Sequence, residues 1–467
     1  MNRIVLHRIM GAVNKMHRYD IIIIGAGPAG LFASYYLLQN SNARILLVEK
    51  GPESQSRLCI HNCDDCTIRD RCSILCGIGG AGLFSDGKLV LDLNAGGLLD
   101  SVAKVEEGKK KAMISYIENT LRGFDGKSEE GPILSNKDAL TWSGRFAEVG
   151  LNIKHYGVTH IGTQNLSNII TNFVSELRRY PNFDLRSNTQ VINVFFDGEK
   201  NIVTTSDGNF FNADYIVFSV GKTGSSWMRE IFERNNIEYR KTQTYLGIRL
   251  ETRNEYLKEL FTYSFDPKIW CFCDGHKIKT HCFCRHGSII CTNYMGFPIA
   301  GGHTKITNNN MPLENTSGLS SFNILASVDN SSEDILGVLS RFKLINSKGI
   351  VSQKLGTFLT KNDSKESSIR ENLNLLSEIG DHIASFIIRL DKIIPGICSP
   401  DNTVYAPALE WFMDLVCVKP NMETTVKGWY AIGDGAGLSQ GIIHSAATGL
   451  IAAEDLCLRL NDKHVAT

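Results

Sequence analysis

The chain has 467 residues, of which 43% are hydrophobic, and its 49 basic and 49 acidic side chains give a formal net charge of zero. This balance gives no reason to expect a nucleic acid or an anionic membrane as partner, and no apolar run approaches the roughly 20 residues of a membrane-spanning helix. The length exceeds what a single hydrophobic core usually serves, so we expect more than one domain.

Residues 1–18 form a basic leader without acidic residues and without the apolar core of a secretory signal. We expect this leader to be disordered, with an organellar transit peptide as the alternative. Thirteen cysteines behind such a leader favour a reducing, cytoplasmic compartment, where clustered cysteines indicate metal or redox chemistry more often than disulfides.

Residues 19–50 have the pattern of a nucleotide-binding βαβ unit. Ile21–Ile24 predict a buried parallel strand that enters the sequence GAGPAG, and a second apolar run ends at Glu49. The first glycine allows the turn, the second lets a pyrophosphate approach, and the third lets helix and strand pack closely. The predicted contacts of this unit with the cofactor are Gly25, Ala26, Gly27, Pro28, Ala29, Gly30, Glu49 and Lys50. Glu49 is placed to accept hydrogen bonds from ribose hydroxyls; the alternative is a structural glycine turn.

Five cysteines follow within residues 59–76, beginning with Cys59. Cys63, Cys66, Cys72 and Cys76 are the candidate ligands of Zn²⁺ or of a [4Fe–4S] cluster, because four thiolates satisfy either. Redox-active thiols and ordinary reduced cysteines remain alternatives.

The middle of the chain predicts two further regions. A helix over 162–179 precedes a meander of strands over 191–196, 202–205 and 210–211, and a buried strand over 215–221. Residues 226–394 differ in character and are interpreted as an inserted substrate domain between 19–225 and 395–467. In this domain we expect a strand with alternating exposure over 246–251, a Cys/His-rich hairpin over 270–291, a loop over 305–320, and helices near 332–346 and 369–390.

The hairpin contains two Cys-x-Cys pairs, at Cys271 and Cys273 and at Cys282 and Cys284. Alternate side chains of a strand share one face, so each pair could present two sulfurs together. A metal site, a thiol relay formed by Cys282 and Cys284, and ordinary sheet cysteines are the three interpretations.

The C-terminal segment predicts a strand over 428–432, the turn GDGAG, and a small-residue-rich helix from about Gly441 to Leu460. The helix N-terminus suits a polarised ligand edge, and Asp434 is placed to accept a hydroxyl hydrogen bond. An ordinary strand–turn–helix is the alternative.

GAGPAG, the strand ending SVG at 219–221 and GDGAGLSQGI together resemble two-domain FAD-dependent oxidoreductases. GGAGLFSDGKL at 79–89 and THCFCRHG at 280–287 are similar to motifs of a little-characterised group of FAD-dependent dehydrogenases, which usually has Phe and Pro where this chain has His281 and Arg285. The resemblance implies an α/β fold: a Rossmann-like, glutathione-reductase-like FAD-binding domain with an inserted α+β substrate domain.

The resemblance extends the predicted flavin contacts to Gly80, Ala81, Gly82, Ser85, Lys88, Val191, Gly221, Gly433, Asp434, Gly435, Gly441 and Ile442. Three residues are candidate catalytic groups. His444 would handle a proton, Lys88 would reach the flavin or a phosphate, and Arg249 would bind a substrate carboxylate. The respective alternatives are a structural role for His444, a surface pair at Lys88 and a surface ion pair at Arg249.

The expected function is an FAD-dependent oxidoreductase that transfers hydride between flavin N5 and a small organic substrate, with an iron–sulfur relay if the first cysteine cluster binds iron. Only one complete dinucleotide fingerprint is present, so NAD(P)H would bind transiently or electrons would come from the substrate or an electron-transfer protein. The alternatives are a flavin monooxygenase and a non-catalytic flavin-fold binding protein.

Overall fold

The computed structural model of the chain describes residues 17–57, 72–85, 87–124, 129–294, 296–303, 318–329, 332–347, 349–360, 368–410 and 414–465. The strands of the described ranges are β1 His17–Ile24, β2 Ile45–Val48, β3 Lys88–Val90, β4 Glu129–Glu130, β5 Asn152–Lys154, β6 Val158–His160, β7 Phe183–Arg186, β8 Val191–Phe196, β9 Asn201–Thr205, β10 Phe210–Phe218, β11 Tyr239–Arg240, β12 Thr244–Arg253, β13 Lys268–Cys273, β14 His276–Cys284, β15 Ser288–Tyr294, β16 Phe297–His303, β17 Leu319–Val328, β18 Val351–Lys354, β19 Thr403–Glu410, β20 Leu415–Val416 and β21 Trp429–Ala431.

The helices of the same ranges are α1 Pro28–Asn40, α2 Glu107–Gly123, α3 Asn136–Glu148, α4 Thr163–Leu177, α5 Ser225–Arg234, α6 Asn254–Tyr263, α7 Ser332–Ile345, α8 Leu355–Thr360, α9 Ile369–Asn374, α10 Ile379–Asp391 and α11 Ile442–Val465. Short 3₁₀ turns include Ala81–Phe84 and Asp434–Ala436.

The first sheet is built around β1 and is mostly parallel. Strands β7, β2, β1 and β10 lie side by side in that order, all parallel, and β21 pairs in parallel with the end of β10. The antiparallel strands β9 and β8 extend the sheet from the start of β10. The chain order reverses between β1 and β10, which is the point where open α/β sheets bind their ligands, outside the carboxyl ends of the strands.

The second sheet is antiparallel, with the order β18-β19-β12-β17-β14-β13-β5. Each sheet has its own hydrophobic cluster. The cluster of the second sheet takes side chains from within 142–153 and 404–406 as well as from 226–394. The predicted domain boundaries remain a prediction.

Local patterns predicted several of these elements. The helix expected over 162–179 is α4, and its apolar stripe, which includes Leu166 and Phe173, is buried. The meander strands β8 and β9 and the C-terminal strand–turn–helix also lie where predicted. The separate strands predicted over 210–211 and 215–221 are instead one continuous strand, β10, which ends at Phe218. The loop predicted over 305–320 lies mainly outside the described residues, and the last of it begins β17.

Two expectations in the second region are wrong. The strand over 246–251 was expected to alternate in exposure, but Leu246, Ile248, Arg249 and Leu250 are all buried in β12. The strand lies between β17 and β19 in the middle of the sheet. The single helix near 369–390 is two helices, α9 and α10, because Ser377 and Glu378 take positive φ angles of 52° and 57° and interrupt it.

Within the described ranges, none of the helices is both long enough and apolar enough to cross a bilayer.

Candidate cofactor and substrate cavity

A cavity of about 910 Å³ lies at the carboxyl ends of β1, β2 and β10, and the second sheet supplies its opposite wall. This volume is at the upper end of the roughly 300–1,000 Å³ of ligand pockets. Most of the predicted cofactor contacts line it: Gly25, Gly27, Pro28, Ala29, Glu49, Lys50, Gly80, Ala81, Gly82, Ser85, Lys88, Val191, Gly221, Gly433, Asp434, Gly441 and Ile442. Ala26, Gly30 and Gly435 are not among the residues that line it.

The three glycines of the fingerprint are needed for different physical reasons. A Cβ on Gly25 would lie 2.4 Å from the carbonyl oxygen of Ser219, and a Cβ on Gly30 would lie 2.1 Å from that of Gly25. Both glycines are therefore required by packing within the chain. A Cβ on Gly27 would meet nothing nearer than the Cα of Gly80, at 3.8 Å. The chain leaves the space in front of Gly27 open, which is what a ligand needs at the N-terminus of α1.

Glu49 ties three backbone segments together at the end of β2. Its Oε2 accepts a hydrogen bond from the Ala26 N–H at 2.9 Å, and its Oε1 accepts from the N–H groups of Gly51 and Gly77 at 2.9 and 3.0 Å. The carboxylate is buried, yet the residue lines the cavity. Its predicted hydrogen bond to ribose remains a prediction.

Sequence reasoning missed Arg57, which organises the glycine-rich loop. The buried guanidinium donates hydrogen bonds to the carbonyl oxygens of Ser73, Ile74, Gly77, Ile78 and Gly80, at distances from 2.7 to 3.4 Å. Burial lowers the pKa of Arg57 to about 10, against the opposing charge of Glu49. No local pattern identifies an arginine whose partners are backbone carbonyls 16–23 residues further along the chain.

Lys88 joins the glycine-rich region to the second sheet. Its ammonium group donates to the carbonyl oxygen of Phe283 at 2.8 Å and lies 3.4 Å from Oδ1 of Asp266. Lys268 contacts the other oxygen of Asp266 at 2.8 Å. Burial opposes the ionisation of Asp266, but Lys268 and Lys88 outweigh it and hold the pKa of this carboxyl well below its usual range.

The C-terminal turn packs against the loop that follows β10. A Cβ on Gly435 would lie 2.5 Å from the carbonyl oxygen of Gly221, so Gly435 is needed for this contact. Oδ1 of Asp434 accepts hydrogen bonds from the hydroxyls of Ser439 and Ser445, both at 2.7 Å. These bonds fix Asp434 at the cavity edge beside the start of α11; its predicted contact with a ribityl hydroxyl remains a prediction.

The second sheet adds a charged wall that the sequence did not predict. Glu410 of β19 forms an ion pair with Lys279 of β14 and lies 3.6 Å from Nε2 of His281. Burial would raise the pKa of Glu410, but His281 and Lys279 lower it to about 2. All three residues line the cavity, together with Lys268 and Trp270.

Two of the three predicted catalytic residues lie outside the cavity wall. Arg249 is 1% exposed, and its guanidinium donates to Oγ of Ser321 and Oδ1 of Asn323, both at 3.0 Å. The alternative of a surface ion pair at Arg249 is therefore wrong. His444 is also 1% exposed and packs against Gly97, whose Cβ would lie 3.4 Å from its ring. Lys88 alone of the three lines the cavity.

The burial of His444 predicts a pH dependence of stability. Burial lowers the pKa of His444 from 6.5 to about 4, although the nearby charges of Asp434 and Asp92 oppose this. Between these pH values the unfolded chain binds a proton at this ring and the folded chain does not, so stability falls as the pH drops from 6.5 to 4. This group contributes at most about 3 kcal/mol to that loss.

We expect His444→Leu to show a weaker loss of unfolding free energy than the wild type between pH 7 and pH 4.5, measured by urea denaturation. The control is Leu458→Asn on the same helix, since the Leu458 side chain is exposed and its replacement removes no titratable group and should leave the wild-type slope. If His444→Leu keeps the wild-type dependence of unfolding free energy on pH, His444 is not the group responsible for it.

The first cysteine cluster is only partly described. Cys59, Cys63 and Cys66 lie outside the described residues. Cys76 is buried, lines the cavity and contacts Oγ1 of Thr223 through its sulfur at 3.4 Å, and Cys72 is half-buried. Among the described residues, no group of three or more His, Cys, Asp and Glu side chains could hold a metal ion. The predicted zinc or iron–sulfur site remains a prediction.

No model of a known protein family matches the chain. Over 43 residues it is 49% identical to a protein of Marinomonas mediterranea named "Putative FAD-dependent oxidoreductase LodB"; the match covers 9% of this chain and 12% of that protein.

Three solved structures illustrate the structural similarity. Glycine oxidase from Geobacillus kaustophilus is 14% identical, with 95% of both chains covered and a TM-score of 0.35. A flavoprotein/dehydrogenase from Cytophaga hutchinsonii is 10% identical, with 96% of this chain and 79% of that chain covered and a TM-score of 0.40. The p-nitrophenol 4-monooxygenase PnpA from Pseudomonas putida is 12% identical, with 96% and 82% covered and a TM-score of 0.40. TM-scores below 0.5 add no support to a particular fold family or activity.

Proposed function

We propose that the protein is an FAD-dependent oxidoreductase of the glutathione-reductase-like architecture, and that it transfers hydride between flavin N5 and a small organic substrate. The observation that carries this proposal is the single cavity that joins the fingerprint loop, Glu49 and Asp434 to the charged wall of the second sheet. A cofactor on the first wall and a substrate on the second would share one cavity.

The first wall of the cavity, which contains the fingerprint loop, Glu49 and Asp434, fits FAD. The open space at Gly27 and the N-terminus of α1 suit a pyrophosphate. Glu49 and Asp434 offer carboxylates at two places along the cavity, where the ribose and ribityl hydroxyls of FAD could donate to them. FAD, when bound, supplies the hydride acceptor; the chain orients it and excludes water.

Lys88 is the catalytic candidate that the cavity favours. Asp266 and the carbonyl oxygen of Phe283 hold its ammonium group at the junction of the two walls. A fixed positive charge there stabilises negative charge that develops on a ligand during the reaction. The placement of His444 and Arg249 behind the wall gives both residues a positioning role in this proposal.

The charge of the second wall favours an anionic substrate. Its lysines outnumber its acidic residues by four to two: Lys154, Lys268, Lys277 and Lys279 against Asp266 and Glu410. Lys279, Lys268 and Lys154 are paired with Glu410, Asp266 and Asp92, and the ammonium of Lys277 lies 5.4 Å from the Trp270 ring centre. We infer that the substrate carries a carboxylate or a similar anion.

The test is purification followed by an absorption spectrum, release of the flavin by denaturation, and its identification by mass. We expect about one FAD per chain, and anaerobic bleaching of the flavin bands by carboxylate substrates in preference to their neutral esters. Rapid NAD(P)H oxidation with peroxide release would instead support the monooxygenase alternative. A colourless protein that stays colourless after addition of FAD would overturn the proposal.

A further inference from the structure

The two Cys-x-Cys pairs have the same sequence pattern but different environments. Cys271 and Cys273 lie on β13, where Cys271 is 2% exposed and belongs to the hydrophobic cluster of the second sheet. Their sulfurs are 3.8 Å apart. Burial, together with the neighbouring Cys273, raises the pKa of Cys271 to about 12. Neither residue lines the cavity. Cys271 has the environment of a packed thiol, whereas Nη2 of Arg389 donates to the sulfur of the half-buried Cys273 at 3.0 Å.

Cys282 and Cys284 lie at an irregularity of β14. The pairing of β14 with β17 shifts register between His281 and Cys284, and Cys282 has a φ angle of 55°, in the left-handed region. A regular strand would present alternate residues to one side. Here Thr280, His281 and Cys282 all line the cavity. The irregularity in β14 therefore places Cys282 in the cavity wall, next to Thr280 and His281.

Two cationic side chains lie beside Cys282. The Lys88 ammonium lies 2.8 Å from the carbonyl oxygen of the next residue, Phe283, and Nη2 of Arg249 donates to the carbonyl oxygen of Cys282 at 3.3 Å. A hydrogen bond from Cys284, followed by the charges of Lys88 and Arg249, outweighs burial and holds the pKa of Cys282 well below its usual range. The thiolate is the reactive form of cysteine, and such surroundings are those of redox-active thiols.

We propose that Cys282, which lines the cavity, and Cys284, two residues further on, form a redox-active dithiol, which closes to a disulfide as an electron pair passes to bound FAD. This inference rests on the proposed function, because FAD is the oxidant. The Cys284 S–H bond breaks, the sulfur–sulfur bond forms, and two electrons and one proton leave the pair. One thiolate, one thiol and FAD thus give one disulfide and the reduced anionic flavin FADH⁻. The reverse reaction would use reduced flavin to open the disulfide.

In this arrangement Arg249 and Lys88 are positioning residues for the sulfur pair. Arg249 holds the strand at Cys282 through the carbonyl oxygen and is itself fixed by Ser321 and Asn323 on β17. Lys88 holds the next peptide group. Both charges stabilise the thiolate and disfavour its protonation.

The test uses the purified holoprotein under anaerobic conditions. Oxidised protein is titrated with dithionite, its thiols are counted after denaturation before and after reduction, and its peptides are mapped by mass. We expect the wild type to take up two electrons per chain more than Cys282→Ser and to gain two thiols on reduction. The peptide that contains residues 282–284 should be 2 Da lighter in the oxidised sample.

The matched control is the double substitution of Cys271 and Cys273 by serine, which should keep the electron uptake of the wild type. Mapping of the wild-type peptide needs no variant, so a variant that fails to fold does not weaken the test. The dithiol proposal would be overturned, and the proposed function would not, by the following result: one FAD per chain, equal electron uptake in Cys282→Ser and the wild type, and no lighter peptide. Absence of FAD would overturn the proposed function, whereas a light peptide in oxidised apoprotein would still support the sulfur pair.

Discussion

Gly27→Leu should lose FAD while the chain still folds. The backbone of Gly27 has φ −78° and ψ −178°, which any L-residue adopts, and a Cβ there meets no atom closer than 3.8 Å. The leucine side chain would instead fill the space that the proposed pyrophosphate needs. We expect at least about a 100-fold loss of FAD affinity, equivalent to roughly 2.7 kcal/mol, with an unchanged unfolding free energy of the apoprotein.

The measurement for Gly27→Leu is FAD titration by fluorescence, combined with urea denaturation of the flavin-free protein. Gly30→Ala is the contrasting variant, because its Cβ would lie 2.1 Å from the carbonyl oxygen of Gly25 and 2.7 Å from Oγ of Ser219. That variant should lose stability whether or not FAD is present. Normal FAD affinity in Gly27→Leu would show that the cavity at this loop is not the flavin site.

Arg57→Met should cause the largest loss of stability of any single side-chain replacement proposed here. Methionine fills similar space but leaves five backbone carbonyl oxygens without the donor that Arg57 provides. Each buried polar group left unsatisfied costs roughly 1–3 kcal/mol. Allowing for partial rescue by water, we expect a loss of about 4 kcal/mol, together with weaker FAD binding, because the same loop lines the cavity.

Urea denaturation of Arg57→Met in the absence and presence of FAD measures both effects. Arg178→Met is the control, since the Arg178 guanidinium is half exposed and pairs with Glu53 at 2.7 Å on the surface. Such a pair contributes at most about 1 kcal/mol. Arg57→Lys should remain destabilised, because an ammonium cannot span five carbonyl oxygens. A loss within about 1 kcal/mol in Arg57→Met would refute the organising role of this side chain.

The prediction of the wall formed by the fingerprint loop and the C-terminal turn rested on local sequence patterns. Strand β1, the GAGPAG turn and α1 are consecutive, so the residues that form the turn determine it together. The same holds for β21, the GDGAG turn and α11. Several of the predicted cofactor contacts line the cavity, among them Gly25, Gly27, Glu49, Gly433 and Asp434, and their contact with a cofactor remains a prediction.

Predictions that required knowledge of distant contacts were less successful. His444 begins the correct helix, but it is buried under Gly97, a residue more than 300 positions earlier. Arg249 was placed on the correct strand, but its burial depends on β17 on one side and β19 on the other. In both cases the side-chain environment is set by segments that no local spacing connects.

The sequence by itself determined the nucleotide-type βαβ unit and the closing strand–turn–helix, because each is a short, continuous run in which spacing and glycine positions dictate the backbone. Only the tertiary structure decided which residues form the opposite wall of the cavity. The fold brings β13, β14 and β19 against the first sheet, so Lys268, Lys279 and Glu410 become cavity residues. It also separates two identical Cys-x-Cys patterns. One packs with the apolar core of the second sheet, and the other places Cys282 in the cavity wall, where β14 breaks its register.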